Sequence, residues 1–230
     1  MVSKGSFVKI TYVGRVKETG ELFDTTDEAL ARKEGTYAPN ARYGSVTIVV
    51  GEGRVLRGLD EALVTMNAGD ERTLDVPPEK AFGPRSAETI RLIPLKEFNR
   101  QGFTPAAGMQ ITMNSLHGRV LSVNSGRVRV DFNHPLAGKA LTYVLRIDEE
   151  VTDKAMQARG LVDYYLRESA DVKVNGTEAE VVHKEEIPQR AKEAMTEDLK
   201  KFVGLTGVKF TQLMESKAEK APAQSSNQGL

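Results

Sequence analysis

Cysteine is absent from the chain, which removes disulfides, thiolate metal sites and cysteine nucleophiles together. Net charge is absent as well. The 32 lysines and arginines are matched by 32 aspartates and glutamates, so no overall field draws the protein toward nucleic acid or an anionic membrane. No apolar run approaches the roughly 20 residues that a membrane-spanning helix needs. Met1 to Gly5 lead directly into Phe7-Val8-Lys9-Ile10, without the apolar core of a signal peptide. The histidines, His117, His134 and His183, are scattered, so the sequence offers no metal-ligand cluster. Neither metal nor cofactor is expected, nucleic acid and membrane are not expected partners, and the expected location is cytoplasmic.

What is present is the make-up of a globular protein, 40% hydrophobic and 28% charged over 230 positions, with room for one large domain or two to three small ones. Residues 6–13 and 45–50 are rich in β-branched and aromatic types and read as strands. Glu71-Arg72-Thr73-Leu74-Asp75-Val76 alternates and is stopped by Pro77-Pro78, which cannot donate to a ladder. Between them Leu59, Ala62, Leu63 and Met66 recur at helical spacing. The spacing predicts an antiparallel sheet with one covering helix.

From about residue 87 a different unit intervenes. Met109, Ile111 and Met113 alternate with polar residues, as do Val128, Val130 and Phe132, and Asn124-Ser125-Gly126 signals a hairpin. About 50 residues is large for a loop and near the minimum for a module that supports itself, so it reads as an inserted domain. Residues 140–147 look like the returning strand of the first unit. Beyond it Thr152 is placed to cap a helix, Asn175-Gly176 joins two strands, and a second helix follows Pro188, with Ala191, Met195, Leu199, Phe202 and Val203 on one face. Val208 to Leu213 make a closing strand, completing a small α+β domain. From about Ser216 nothing apolar remains to bury, which predicts a disordered tail over 216–230.

Four short segments stand in a telling order: Thr11-Tyr12-Val13-Gly14, Glu21-Leu22-Phe23-Asp24-Thr25, the run from Val55-Leu56-Arg57-Gly58-Leu59 to Leu63, and Ala81-Phe82-Gly83-Pro84. Taken singly, Tyr12 or Tyr143 on a strand reads as core, Asp24 as the start of a turn and Gly58 as a helix-start residue. Jointly the segments resemble the active-site framework of FKBP-type peptidyl-prolyl isomerases, over residues 1 to about 85 and 136–150.

The resemblance implies a pocket for proline with Tyr12 as floor, Phe23 and a buried Asp24 as wall, and Val55 beside Leu56, whose backbone N–H receives a ligand carbonyl. It further implies Phe82 and Tyr143 as wall aromatics, with Val46 and Ile48 where further rings often stand. Leu59 occupies the position of the family's usual tryptophan at the pocket base. Phe82 lacks the hydroxyl of the family's tyrosine. Proline binding is expected to survive these changes and macrolide inhibitor binding to weaken.

The inserted unit, with Ile90 to Phe98 near its start and Asn133-His134-Pro135-Leu136-Ala137-Gly138 at its close, resembles the insert-in-flap domain of SlyD-like isomerases. That likeness implies a chaperone module whose Leu92, Ile93, Phe98, Phe103, Met109 and Met113, with Leu95 and Leu116, divide between its own core and a surface for unfolded chains. The region 152–215 is similar to the extra domain of longer archaeal FKBPs, where client binding and homodimer formation are the two roles open to it.

The expected organisation is an α+β protein. Residues 1–86 and 136–151 form an antiparallel half-barrel isomerase domain, 87–135 a small mainly-β insert, and 152–215 a C-terminal domain. The expected function is acceleration of X-Pro isomerisation in unfolded or partly folded polypeptides, together with chaperone activity. The alternative is a non-enzymatic holdase whose changes at 46, 59 and 82 have degraded the pocket.

Overall fold

The structure, a computed structural model, describes residues 1–166 and 170–213. The expected disordered tail lies outside them. The chain divides after Val151 into two units, Met1–Val151 and Thr152–Leu230.

In the first unit β1 (Phe7–Val16) buries Phe7, Val8, Ile10, Gly14 and Val16. Its first half pairs with β3 (Val46–Val49) and its second half with β2 (Leu22–Thr25), both antiparallel. A helix α1 (Glu28–Lys33) follows β2, started by the Asp27 carboxylate accepting from the Leu30 N–H at 3.0 Å. The helix α2 (Arg57–Leu63) leads to β4 (Glu71–Val76). The chain returns 65 residues later as β9 (Leu141–Val151), which lies between β1 and β4. The sheet reads β2-β1-β9-β4, with β3 paired to β1.

The strand alternation thus appears where the sequence places it. Two elements differ from expectation. Phe23 and Asp24 lie within a strand, and α1 adds a second helix where one was expected. Only Ala31 of α1 is buried, so its six residues carry almost no apolar period to read.

The core beneath this sheet gathers Ile10, Leu63, Met66, Leu141, Leu145 and Ile147, all within 0% exposure. Burying each such side chain contributes roughly 1.5–3 kcal/mol. The approach of α2 to β4 is closer than an ordinary helix allows. A Cβ built at Gly58 would stand 2.6 Å from Val76 Cγ1, a side chain that is itself buried.

Between β4 and β9 a separate antiparallel sheet is built in the order β5-β8-β7-β6, from β5 (Ile90–Pro94), β6 (Gln110–Met113), β7 (Leu116–Asn124) and β8 (Arg127–Asp131). Helix α3 (Leu95–Arg100) follows β5 directly. The hairpin turn falls where Asn124-Ser125-Gly126 signals it, with Ser125 and Gly126 at φ 47° and 73°. Ile93, Phe98, Val120, Val128 and Val130 form a buried cluster of their own.

In the second unit α4 (Lys154–Leu166) packs on β10 (Asp171–Asn175), which is antiparallel to β11 (Glu178–His183). Helix α5 (Gln189–Asp198) runs into one π-helical turn, Leu199–Val203, before β12 (Gly207–Gln212) joins β11 in parallel. Met195, Leu199 and Val203, spaced by four, are buried. The α4 cap is Asp153 rather than Thr152: the Asp153 carboxylate accepts from the Met156 N–H at 2.8 Å. The carboxylate sits one residue closer to the first turn, whose N–H groups need an acceptor.

Replacing a helical glycine by alanine ordinarily stabilises by about 1 kcal/mol. At Gly58 the opposite sign is expected, a loss of about 1–3 kcal/mol in chemical denaturation from overpacking against Val76. Val76→Ala in the same chain should recover part of that loss, and strict additivity of the two substitutions would show that the contact does not matter.

Candidate active site

Four rings and an imidazole make a continuous aromatic wall in the first unit. Tyr12 meets Tyr143 edge-on at 6.0 Å, Tyr143 meets Phe23 at 5.7 Å, and Phe23 meets Phe82 at 6.3 Å. Such edge-to-face pairs are favoured because each ring presents a positive edge to a negative face. His134 continues the series by stacking on Phe82, centroids 4.2 Å apart and planes 5° from parallel.

The backbone explains why the rings converge. Residues β1 Gly14 and β9 Tyr143 are direct partners in the ladder. A Cβ at Gly14 would lie 2.8 Å from Tyr143 Cε1 and 3.0 Å from Phe23 Cζ, so the absent side chain is the space the two rings occupy. Tyr12 is held from behind by two buried threonines. Thr26 Oγ1 accepts from its N–H at 2.9 Å, and the Thr25 and Thr26 hydroxyls donate to its carbonyl, each at 3.2 Å. Phe82 sits in a turn closed by the Gly83 N–H donating to Pro78 O at 2.8 Å, and Gly138 N–H donates to Gly83 O at 2.9 Å.

The segment before α2 is fixed by Asp60, whose two carboxylate oxygens accept from the N–H groups of Gly51 at 2.7 Å and Gly53 at 2.9 Å. Val55 and Leu56 follow and pack against the same core as the rings. The Leu56 carbonyl accepts from Leu59 and Asp60. Its N–H meets no acceptor among the described residues. A polar donor in a segment packed on this apolar core is suited to a ligand carbonyl.

Asp24 stands at the other side. The Tyr12 hydroxyl donates to Asp24 Oδ1 at 3.5 Å, a long contact. Desolvation among the rings raises the Asp24 pKa above the ordinary carboxylate value, only partly offset by the Tyr12 hydroxyl and the Thr25 N–H. Both Tyr12 and Tyr143 are pushed up, by burial first and by the nearby Asp24 charge second. No group here is poised as a nucleophile.

The structure therefore brings together Tyr12, Phe23, Asp24, Leu56, Phe82 and Tyr143, and several details need correction. Asp24, expected to be buried, is exposed as a residue, because it stands on the edge strand β2 while its neighbour Phe23 turns inward, and only its carboxylate end, beside Tyr12, is partly desolvated. Tyr143 is 2% exposed; it backs Tyr12 and Phe23 rather than forming an open surface. Ile48 lies in the sealed core with Leu59, Leu59 as an apolar floor, whereas Val46 is half-buried beside them.

In the segment 90–131, Ile93 and Phe98 belong to the local core and cannot meet a client, and Phe103 and Met113 pack partly against it. The exposed apolar side chains are Leu92, Met109 and Leu116. His134 Nδ1 accepts from the Leu136 N–H at 3.2 Å. Its stacking on Phe82 has no local sequence signal, since 51 positions separate the two rings. The threonine pair behind Tyr12 was equally invisible.

Comparison with known proteins adds the following. A family description, FKBP-type peptidyl-prolyl cis-trans isomerase, matches residues 1–97, and a second, FKBP26, IF domain, matches residues 91–136. The chain is 34% identical over 147 residues to the short-type peptidyl-prolyl cis-trans isomerase of Methanocaldococcus jannaschii, covering 64% of this chain and 92% of that one. It is 39% identical over 106 residues to a probable FKBP-type 16 kDa peptidyl-prolyl cis-trans isomerase of Pseudomonas fluorescens, covering 44% and 69%. Over 161 residues it is 29% identical to the FKBP-type isomerase SlyD of Treponema pallidum, covering 66% and 80%.

The raised Asp24 pKa has a sign that stability measurements can read. The folded state binds this proton more tightly than the unfolded chain, so its contribution is fully present below the unfolded value and is lost as pH rises through the folded one. Asp24→Asn is therefore expected to raise the melting temperature at pH 7, with the gain vanishing below about pH 4, the ordinary aspartate range. A melting temperature lowered equally at both pH values would contradict this account.

Proposed function

The chain belongs to the FKBP-type peptidyl-prolyl cis-trans isomerases and is an enzyme of that class, and on this premise we propose that it acts on X-Pro bonds of unfolded or partly folded polypeptides and also serves as a chaperone. The observation that carries the substrate reading is the Leu56 N–H, unpartnered among the described residues, in a segment packed on the same core as Tyr12, Phe23 and Phe82.

Rotation about the peptide bond faces a barrier of about 18–20 kcal/mol from lost amide resonance, and it asks for no nucleophile, metal or electron carrier. The planar amide is more dipolar than the twisted one, so an apolar surrounding favours the twisted form. Phe23, Phe82 and Tyr12 supply that surrounding over the floor of Leu59, with Tyr143 behind them. The Leu56 N–H holds a substrate carbonyl while the bond turns, and Asp24 faces the twisting segment. Val55 and Val46 line the approach.

Chaperone action is assigned to the segment 87–135, inserted between residues 1–86 and 136–151 of the isomerase domain. Three exposed apolar side chains support it: Leu92 on the edge strand β5, Met109 just before the opposite edge β6, and Leu116 at the start of β7. Such residues bind chains of many sequences because contact is apolar and methionine adapts its shape. The domain 152–215 is assigned self-association or further client contact, and the cytoplasm is the proposed location. No helix among the described residues is long and apolar enough to cross a membrane.

Refolding limited by proline isomerisation tests the two activities together. Intact protein is expected to accelerate it, and the triple change Leu92→Ser, Met109→Ser, Leu116→Ser is expected to reduce that acceleration about tenfold, as loss of roughly 1.4 kcal/mol of client binding requires. Turnover of a short proline peptide by the same variant should stay unchanged. Equal refolding rates with and without the three apolar side chains would remove the chaperone assignment while leaving the enzyme intact.

A further inference from the structure

The polar face of the inserted sheet does not look into open solvent everywhere. Gln110 and Thr112 on β6, Arg119 and His117 on β7, and Asp131 on β8 border a cleft of about 550 Å³, closed on its far side by Arg85 and the return segment His134 to Lys139. The register explains the composition. Val120 and Val130 pair on the core side of the sheet, so their neighbours Arg119 and Asp131, also partners in the ladder, point the other way.

The charge in this cleft is unbalanced. Among the described residues Asp131 is its single carboxylate, and that carboxylate is already engaged. It accepts from the Arg85 guanidinium, from the Asn133 N–H at 2.9 Å and from Asn133 Nδ2 at 2.6 Å. Arg119 and Lys139 meet no carboxylate among the described residues. Two cations thus face one concavity with their charge uncompensated.

The cleft also adjoins the isomerase pocket. His134 borders it, and the same imidazole stacks on Phe82 of the aromatic wall. The aromatic wall and the cleft thus share one residue, His134.

We propose that this cleft is a specificity site for acidic residues flanking the target proline, with Arg119 and Lys139 as the recognition cations. Carboxylates of the client replace the missing counterions, while Gln110 and Thr112 offer neutral hydrogen-bonding groups beside them. The cleft then selects among clients by charge while the insert gathers them by apolar contact, and neutral overall charge leaves this local field as the discriminating one.

The inference rests on the reading that the aromatic pocket takes the proline. Three peptides with one proline test it, bearing glutamate, glutamine or lysine at several positions beyond the proline's neighbours, in one set N-terminal to it and in another C-terminal. In at least one set the intact protein should turn over the glutamate peptide with kcat/KM about fivefold above the glutamine peptide, the scale of two partly exposed ion pairs. In 1 M salt, where the Debye length is about 3 Å, the ratio should approach one. The charge reversal Arg119→Glu with Lys139→Glu should invert the order in favour of lysine.

Ratios are taken within each protein, so a general loss of activity cancels. Equal turnover of glutamate and glutamine peptides in both sets overturns the cleft assignment and leaves the pocket standing. A glutamate preference that survives the charge reversal also overturns it. No turnover of the glutamine peptides at all would remove the pocket reading and this inference with it.

Discussion

The ladder between β1 and β9 is the constraint on which the rest depends. Ten residue pairs join Phe7–Val16 to Leu141–Val151, so strands more than 120 residues apart in sequence lie side by side at the centre of the sheet. Closing a long loop costs little more than closing a short one, because the entropy grows only with the logarithm of length. The segment between the two strands is therefore free to carry a second sheet. The same ladder sets Gly14 against Tyr143, and that single pairing makes room for two of the four rings.

Once the ladder is in place, the aromatic surface proposed for catalysis follows from small local devices. Threonines 25 and 26 hold the Tyr12 backbone, Asp60 ties down the loop before α2, and Gly58 brings α2 onto β4. None of these residues needs to touch a substrate. They fix the positions of the rings and of the Leu56 N–H, and the proposed reaction, whose barrier is loss of resonance, is sensitive to such positioning rather than to acid-base strength. Phe82 without a hydroxyl and Leu59 in place of an indole remain compatible with this surface, since both keep it apolar.

The inserted sheet is a second structure with its own economy. One face is consumed by its small core, which takes Ile93 and Phe98 away from any client. The opposite face carries charge, and Leu92 on the edge strand β5, Met109 before β6 and Leu116 at the start of β7 are exposed. A sheet of four strands has only one face to spare after forming a core. Alternation along β6 and β8 announced two faces, but which apolar residues would be sacrificed to the interior depended on α3 and Phe103 folding over one of them.

Resemblance of four short segments to a family framework pointed to Tyr12, Phe23, Asp24, Leu56, Phe82 and Tyr143, whereas sequence by itself determined the strands β1, β3, β4 and β9, the helix around Leu59 and Leu63, and the hairpins at Ser125-Gly126 and Asn175-Gly176. These are legible because period, turn chemistry and short-range spacing are local properties of the chain. Tertiary structure alone decided that Asp24 is exposed, that Tyr143 and Ile48 are sealed, that Gly14 and Gly58 are spaces filled by other residues, and that His134 lies on Phe82. Each of these is a contact between segments distant in sequence. Burial and stacking are properties of the pair brought together, and no residue carries them before the chain has folded.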